Sequence, residues 1–406
     1  MRVTIIGGGA AGCFAAVNLK RMAPQTDITV LEAGRKILAK VAITGGGRCN
    51  LTNTFEGISD LKEAYPRGDK LMRRLFNTFG PRETRSWFEK EGVRLVTMEE
   101  GCIFPASQDA MQIVRTLSNL MTRLGITVKT GCRVHEIRKE GSRFRIISND
   151  GSDILTDQAA VMTGGGSSPF LSPLALGIVP PVPSLFTFNI GDEGLRKRMG
   201  LVVPGASLGI PGTNFRSHGT LLITDWGISG PATLKLSSFA ARYLNEMDYR
   251  SPLLIRWLGD MDLEDVRDLL ESFRTEHARK LVSSAHPAQL PGRLWEYLIE
   301  KSGIREDQRW AETGTKGLNR LAETLFADPY RIEGRCAFKE EFVTCGGVAL
   351  SEISYKTLEC KKHPGLFFAG EALDIDAITG GFNLQAAWTT GYVVAKSLSE
   401  SYGDGD

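Results

Sequence analysis

The chain has 406 residues, 42% of them hydrophobic and 24% charged, which is an ordinary globular composition in a length that suits two or three domains. Its formal net charge of +2 gives no argument for binding nucleic acid or an anionic membrane. The 7 cysteines include no CxxC pair, which argues against a zinc site or a dithiol redox centre and favours a reducing compartment. With no signal peptide or membrane-spanning apolar run expected, we predict a cytoplasmic protein.

The N-terminal segment predicts a strand–helix–strand unit. Residues 2–6 are short, β-branched and followed by glycine, as in a buried strand. Residues 10–22 indicate a helix that ends before Pro24, and residues 27–32 indicate a second strand. A unit of this kind belongs in a parallel sheet.

The remaining elements change character twice along the chain. A glycine-rich loop, helices and strands come first, a proline-bounded β-rich stretch and a charged helical stretch follow, and glycine-rich α/β character returns after about residue 342. The middle is therefore predicted to be an insertion, with the first and last segments forming one domain. The predicted segments are a loop at 44–50, helices near 69–91 and 109–124, strands at 126–137 and 143–148, a β-rich stretch at 182–260 and helices at 262–327.

The segment Gly7-Gly8-Gly9-Ala10-Ala11-Gly12 between the first strand and helix is a GxGxxG match. Gly7 permits a tight turn, Gly9 lets a pyrophosphate approach the backbone, and Gly12 lets helix and strand pack closely. Glu32 lies 20 residues after Gly12 at the end of the second strand, where its carboxylate can bind a ribose diol. This combination predicts a dinucleotide site.

Two later segments favour FAD over NAD as the dinucleotide. The loop Thr44–Asn53 combines small residues with polar donors, and its Arg48 can neutralise pyrophosphate charge. Near the C-terminus a strand ends at Gly370-Glu371, and a helix begins near Phe382. The positive end of that helix can face the flavin N1–C2=O edge, where negative charge gathers on reduction.

At these residues the chain resembles the BaiN/YhiN-like family of bacterial NAD(P)/FAD-dependent oxidoreductases, also described as aminoacetone oxidase-like flavoproteins. The resemblance covers nearly the full length, and its most distinctive element is the GGGRCNLTN sequence at Gly45–Asn53. The other matching segments, in chain order, are Phe104-Pro105, Gly227–Ala232, Thr344–Val348 and Gly370–Asn383.

The resemblance implies an α/β fold with a glutathione-reductase-type, Rossmann-like FAD-binding domain and an inserted β-rich domain with a helical subdomain. The implied boundaries are 1–182 and 342–406 for the FAD-binding domain, 183–261 and 328–341 for the β-rich cover domain, and 262–327 for the helical subdomain. The implied cofactor-binding residues are Gly7, Gly9, Ala10, Ala11, Gly12, Glu32, Ala33, Lys40, Gly46, Gly47, Arg48, Cys49, Asn50, Val134, Thr163, Gly164, Gly165, Gly370, Glu371, Asp374, Gly381, Phe382, Asn383 and Leu384.

The sequence departs from the family at two places. Only Gly166–Gly177 follows the Thr163-Gly164-Gly165 stretch, where many relatives have a longer segment. Asp225 stands where relatives often have histidine, which puts any acid/base role there in doubt. Asn50 and Asp225 are the candidate catalytic side chains, whereas Cys49, without a partner cysteine, is expected to have a packing role.

We expect an FAD-dependent oxidoreductase that takes hydride from NAD(P)H and passes it through flavin N5 to a small unsaturated or carbonyl-bearing substrate. Two alternatives stay open: an oxygen-using oxidase of a small amine, and a non-catalytic FAD-binding or sensing protein. A small-molecule substrate is expected, without a metal, nucleic acid or membrane partner. The sequence leaves the substrate, the preferred nicotinamide and the oligomeric state undetermined.

Overall fold

The computed structural model describes residues 1–166, 168–336 and 343–403. Residues 167, 337–342 and 404–406 of the predicted domains lie outside the described residues. Backbone contacts divide the chain into two compact units, the first comprising Met1–Val182 and Val343–Asp406 and the second Pro183–Phe342. Both ends of the chain therefore contribute to the first unit.

The strands, in chain order, are β1 Arg2–Ile6, β2 Asp27–Glu32, β3 Thr52–Asn53, β4 Leu95–Thr97, β5 Cys102–Pro105, β6 Thr127–Thr130, β7 Val134–Glu140, β8 Arg143–Ser148, β9 Asp153–Thr156, β10 Gln158–Val161, β11 Ile178–Ser184, β12 Phe188–Ile190, β13 Val202–Gly209, β14 Arg216–Ile223, β15 Gly227–Ser229, β16 Ser251–Arg256, β17 Asp328–Arg335, β18 Val343–Val348 and β19 Leu366–Phe368. The helices are α1 Ala10–Met22, α2 Ala39–Gly47, α3 Asp69–Leu75, α4 Pro81–Lys90, α5 Ala110–Arg123, α6 Glu193–Arg196, α7 Pro231–Phe239, α8 Ala241–Glu246, α9 Leu263–Glu276, α10 Gly292–Lys301, α11 Thr315–Ala327 and α12 Phe382–Gly403.

The first unit is built on a parallel sheet with the strand order β19-β10-β1-β2-β6. In β1 every residue after Arg2 is buried, as expected for a strand covered on both faces. Helix α12 packs along α1, and a Cβ on Gly391 would lie 2.7 Å from the carbonyl oxygen of Ala11. Glycine at this position therefore allows the C-terminal helix to approach the N-terminal one closely.

Smaller antiparallel sheets complete the first unit. Strands β7, β8 and β9 form a meander, and β3, β5 and β4 form another sheet. The meander brings Val134, the first residue of β7, into the same unit as the glycine turn after β1.

The second unit is a closed antiparallel barrel with the strand order β12-β15-β14-β13-β16-β17. Its core continues into the helical segment through fully buried tryptophans, among them Trp257 on the barrel side and Trp295 in α10. The aromatic side chains of Phe186 and Phe188 belong to the same core, so they pack in the interior of the second unit.

The predicted elements agree with the structure for β1, α1 and β2, whose bounds are those expected from the sequence. The expected loop at 44–50 differs in part, because α2 runs to Gly47 across a kink at Thr44, Gly45 and Gly46. The single helical pattern near 69–91 is two helices, since Gly80-Pro81 begins a new one at α4. Helices α7 and α8 lie inside the stretch predicted to be β-rich and were not predicted.

Candidate cofactor and active site

Each glycine of the GxGxxG segment has a different environment. Gly7 has φ +115°, and a Cβ there would lie 2.2 Å from the carbonyl oxygen of Met162. A Cβ on Gly12 would lie 1.9 Å from the carbonyl oxygen of Gly7, which only glycine avoids. A Cβ on Gly9, the residue before α1, would meet no protein atom within 4 Å. The backbone around Gly9 therefore borders open space of the kind a pyrophosphate needs.

The side chain of Glu32 is fixed at the end of β2 by two backbone groups. Its Oε2 accepts a hydrogen bond from the N–H of Gly8 at 2.9 Å, and its Oε1 accepts one from the N–H of Gly34 at 2.6 Å. Each carboxylate oxygen has a further lone pair for another donor. The carboxylate is thus held beside the glycine turn, as a ribose-binding residue requires.

A cleft of about 330 Å³ opens beside this turn. Predicted cofactor-binding residues line it from four segments: Gly7, Glu32 and Ala33, Val134, and Thr163 and Gly165. The sequence did not predict the other lining residues Arg133, His135, Ser168, Pro169 and Phe170. The exposed positions 133 and 135 flank buried Val134, and this alternation was the one signal that could have indicated them.

Lys40, Gly165 and Glu371 meet at a second place in the first unit. Glu371 Oε2 accepts a hydrogen bond from the N–H of Gly165 at 3.0 Å and lies 3.2 Å from Lys40 Nζ. The side chain of Lys40 is 62% exposed and that of Glu371 is 20% exposed. Gly164 lies next to both, because a Cβ there would be 3.7 Å from each of the two charged atoms. Gly165 also lines the cleft, so its hydrogen bond to Glu371 links the charged pair to one wall of the cleft.

Gly370 and Asp374 are fixed by hydrogen bonds within the first unit. The N–H of Gly370 donates to Thr390 Oγ1 at 2.9 Å, and a Cβ on Gly370 would lie 3.3 Å from Ala11 Cβ. Asp374 Oδ1 accepts a hydrogen bond from the N–H of Gly346 at 3.1 Å. The strand end after β19 is thereby brought against the first turn of α1.

The GGGRCN loop lies against the beginning of α12. With its amide oriented to satisfy both groups, Asn50 accepts from the N–H of Gly381 at 3.3 Å and donates to the carbonyl of Thr52 at 3.1 Å. Gly381 has φ +89°, and a Cβ there would lie 2.5 Å from the same carbonyl oxygen. The loop and the helix start are therefore brought together by close backbone packing.

The other residues of the GGGRCN loop differ in how much open space surrounds them. Gly46 and Gly47 both have positive φ, and a Cβ on either would meet open space. The Arg48 guanidinium donates to the carbonyl of Gly45 at 3.1 Å and lies over the ring of Phe104. Cys49 is fully buried, and burial raises the pKa of its thiol to about 12, so it stays a neutral thiol.

The first turn of α12 is anchored by side chains of the first unit. The hydroxyl of Tyr65 donates to the carbonyl of Phe382 at 2.8 Å. The amide of Asn383 bonds both the N–H and the carbonyl of Ala377 at 2.9 Å each, and Leu384 is half-buried. The remaining catalytic candidate, Asp225, is an exposed residue of the second unit.

The arrangement of the first unit fits FAD as judged by its own residues. The open space at Gly9, the fixed Glu32 carboxylate and the cleft fit the ADP half, whose phosphates would face the start of α1.

None of the described helices has the long apolar stretch that crossing a lipid bilayer requires.

Comparison with known proteins agrees with this fold. Residues 1–397 match the family described as HI0933-like protein Rossmann domain. The chain is 28% identical to a 3-dehydro-bile acid delta(4,6)-reductase of Clostridium scindens, covering 98% of this chain and 99% of that protein. It is 29% identical to a ribosomal RNA dihydrouridine synthase of Escherichia coli, covering 97% of each. Among solved structures, a 3-ketosteroid delta1-dehydrogenase of Sterolibacterium denitrificans gives a TM-score of 0.50 at 11% identity, over 98% of this chain and 99% of that chain.

Proposed function

The chain belongs to the HI0933-like family of Rossmann-domain flavoproteins, which confirms the resemblance and the fold class predicted from the sequence, and it is an FAD-dependent oxidoreductase. On this premise we propose that it reduces a carbon–carbon double bond conjugated to a carbonyl group, with NAD(P)H as the hydride donor. This proposal narrows the sequence-based expectation of an unsaturated or carbonyl-bearing substrate.

The names of the two relatives support this choice of bond. A delta(4,6)-reductase of a 3-dehydro acid acts on double bonds conjugated to a 3-oxo group. A dihydrouridine synthase saturates the 5,6 double bond of uracil, which is conjugated to the C4 carbonyl. In each of these substrates the carbon distant from the carbonyl is the electrophilic one, so hydride would add there and a proton would add to the carbon beside the carbonyl.

The observation that carries the proposal is the continuity of the site in the first unit. The cleft beside Glu32 and the pair Lys40–Glu371 share Gly165, and Gly370 next to Glu371 lies against Ala11 at the start of α1. We propose that these residues hold FAD, which when bound supplies hydride transfer through its N5 atom. The Gly381–Leu384 end of α12, with Asn50 beside it, would then stabilise negative charge on the ring.

A uridine carried in RNA is a second candidate substrate beside a free small molecule. The specific observation in its favour is the relative from Escherichia coli, which matches over 97% of both chains. The proposed bond is the same in both cases. The two candidates differ in whether a polyanion must dock on the protein.

Anaerobic mixing of the purified yellow protein with NADH or NADPH tests the hydride donor. We expect one of them to bleach the visible flavin band within the turnover time. Failure of both to bleach the band would remove the proposal. Hydrogen peroxide formed from a small amine in air, without nicotinamide, would instead support the oxidase alternative.

The acceptor is tested by adding a 3-oxo-Δ4 steroid or a uridine-containing RNA hairpin to the reduced protein without oxygen. Return of the flavin band with a saturated product identified by mass spectrometry would support the proposed bond. Reoxidation by a saturated ketone but by neither double-bond substrate would refute it. The control is Gly9→Val protein, whose weakened FAD binding is expected to lower product formation.

A further inference from the structure

The basic triplet Arg196-Lys197-Arg198 of the second unit has no place in the cofactor site. It lies at the end of α6 and extends just beyond it, with Arg196 and Lys197 exposed. A fourth cation joins it from the beginning of α10, because Arg293 Nη2 donates to the carbonyl of Lys197 at 3.1 Å. We call these residues, Arg196, Lys197, Arg198 and Arg293, the basic surface.

The arginines of the basic surface are oriented by carbonyl groups. Arg196 donates to the carbonyl of Asp225, and Arg198 donates to those of Gly194 at 3.2 Å and Arg293 at 3.3 Å. In the part of the chain that the structure describes, none of the four cations is in an ion pair with a carboxylate. A carbonyl orients a guanidinium without neutralising its charge, so the remaining N–H groups stay available for an anion.

Ring and buried polar contacts anchor the elements beneath this surface. The guanidinium of Arg198 lies over the ring of Tyr297, 5.2 Å from its centroid. Helix α10 is tied to the barrel by Lys301, whose Nζ lies 2.6 Å from Oδ1 of fully buried Asp328. Tyr330 and Trp257 donate to the other carboxylate oxygen at 2.6 and 2.9 Å. Arginine side chains held by such contacts lose less conformational entropy than free ones when they bind phosphates.

We infer that the basic surface docks the phosphate backbone of RNA, an inference that rests on the RNA form of the proposed function. Planar guanidinium groups match phosphate oxygens in a bidentate manner, and several of them on one surface follow a sugar–phosphate chain. The net charge of +2 does not oppose this inference, because that sum averages over both units. What matters for docking is the local placement of cations.

An anionic membrane is the competing partner. Met199 is 59% exposed and Val202 is 49% exposed, and both follow the triplet in the sequence. RNA is favoured because fixed arginine forks suit phosphodiesters, whereas membrane binding through a surface helix needs a longer amphipathic element than the four-residue α6.

The experiment measures binding of a fluorescein-labelled RNA hairpin to the FAD-loaded protein over a series of salt concentrations. The variant combines Arg196→Gln, Lys197→Gln and Arg293→Gln, leaving Arg198 on Tyr297. The control combines Arg267→Gln, Lys280→Gln and Lys316→Gln, three exposed cations of the same unit. Thermal unfolding verifies that both variants fold.

Losing three phosphate contacts should lower the slope of log affinity against log salt by about 2 to 3, at roughly 0.7 to 0.9 per contact. The control should keep the wild-type slope. Equal slopes for the variant and the wild type would overturn the inference, as would tight binding to phosphatidylglycerol vesicles with none to RNA.

Flavin bleaching by NAD(P)H separates this inference from the proposed function. The surface variant should be bleached at the wild-type rate and should reduce a 3-oxo-Δ4 steroid, if that is a substrate, as the wild type does. If NAD(P)H bleaches the flavin of the wild-type protein but the protein does not bind RNA, the inference about the basic surface is wrong and the proposed function stands. If the wild-type protein binds RNA but NAD(P)H does not bleach its flavin, the proposed function is wrong and the inference about RNA docking stands.

Discussion

Gly12 lies so close to Gly7 that a Cβ at position 12 would be 1.9 Å from the carbonyl oxygen of residue 7. That oxygen belongs to the backbone of the turn after β1 and cannot move without displacing the turn. The packing of helix α1 on the sheet therefore depends on the absence of a single carbon atom. Gly9, three residues earlier, borders open space instead.

We expect Gly12→Ala to destabilise the protein itself. The added methyl group must push α1 away from β1, an overpacking that costs about 1 to 3 kcal/mol or more. Thermal unfolding of the FAD-free protein measures the effect. Gly57→Ala is the control, since a Cβ on the exposed Gly57 meets nothing within 4 Å. Unchanged stability of Gly12→Ala would show that the turn relaxes freely.

In contrast to Gly12→Ala, we expect Gly9→Val to impair FAD binding and to leave the stability of the protein nearly unchanged. Its side chain points into open space, so the FAD-free protein should unfold at nearly the wild-type temperature. FAD affinity should fall more than 10-fold, because the side chain occupies the space expected for the pyrophosphate. Fluorescence quenching during FAD titration measures the affinity. If Gly9→Val binds FAD with wild-type affinity, the phosphates of FAD do not lie beside residue 9.

The substitution Glu32→Gln should weaken FAD binding by about 10- to 100-fold, the range for losing a hydrogen bond to a charged acceptor. One amide oxygen cannot replace two carboxylate oxygens that already accept from Gly8 and Gly34. FAD titration measures the change, with Glu56→Gln in an exposed loop as the control. An equal loss in both variants would indicate a general charge effect.

Substitutions of Lys40 and Glu371 should have unequal effects on FAD binding and stability. Glu371→Ala leaves the N–H of Gly165 without its acceptor and should impair FAD binding. Lys40→Met removes a side chain that is 62% exposed, so it should change stability by less than about 0.5 kcal/mol. Both variants are compared by FAD titration and thermal unfolding. A larger loss of FAD affinity in Lys40→Met would assign the principal role to the lysine.

Cys49 gives a prediction about pH. Its pKa is raised from 9.0 to about 12 by burial, so the folded state favours the neutral thiol. The stabilisation this provides is fully present below about pH 9 and is lost as the pH rises towards 12, at about 1.4 kcal/mol per pH unit. Chemical unfolding at pH 8 and pH 10 should show a smaller pH loss for Cys49→Ser than for the wild type. Equal losses would mean that the thiol is not buried in solution.

The sequence predicted the parts of the site that arise from local segments. Gly7, Gly9, Gly12 and Glu32 lie in one strand–helix–strand unit, and their spacing alone constrains their geometry. The beginning of α12 at Phe382 was also predicted from the glycines before it.

The sequence did not predict contacts between distant segments. The hydroxyl of Tyr65 donates to the carbonyl of Phe382, and Arg67 forms an ion pair with buried Asp376. No local sequence pattern around these residues indicates which distant residue each one contacts. The cleft wall at Phe170 depends likewise on how the chain folds after Gly165. Such contacts follow from tertiary packing, which a single sequence does not specify.

The central claim is that hydride from NAD(P)H reaches a double bond conjugated to a carbonyl group. The most direct test is anaerobic turnover with nicotinamide deuterated at the transferred position, followed by mass spectrometry of the product. Reduction through a flavin whose N5 hydrogen exchanges slowly should add one deuterium to the carbon distant from the carbonyl. A product reduced at the carbonyl itself, with the double bond intact, would contradict the account.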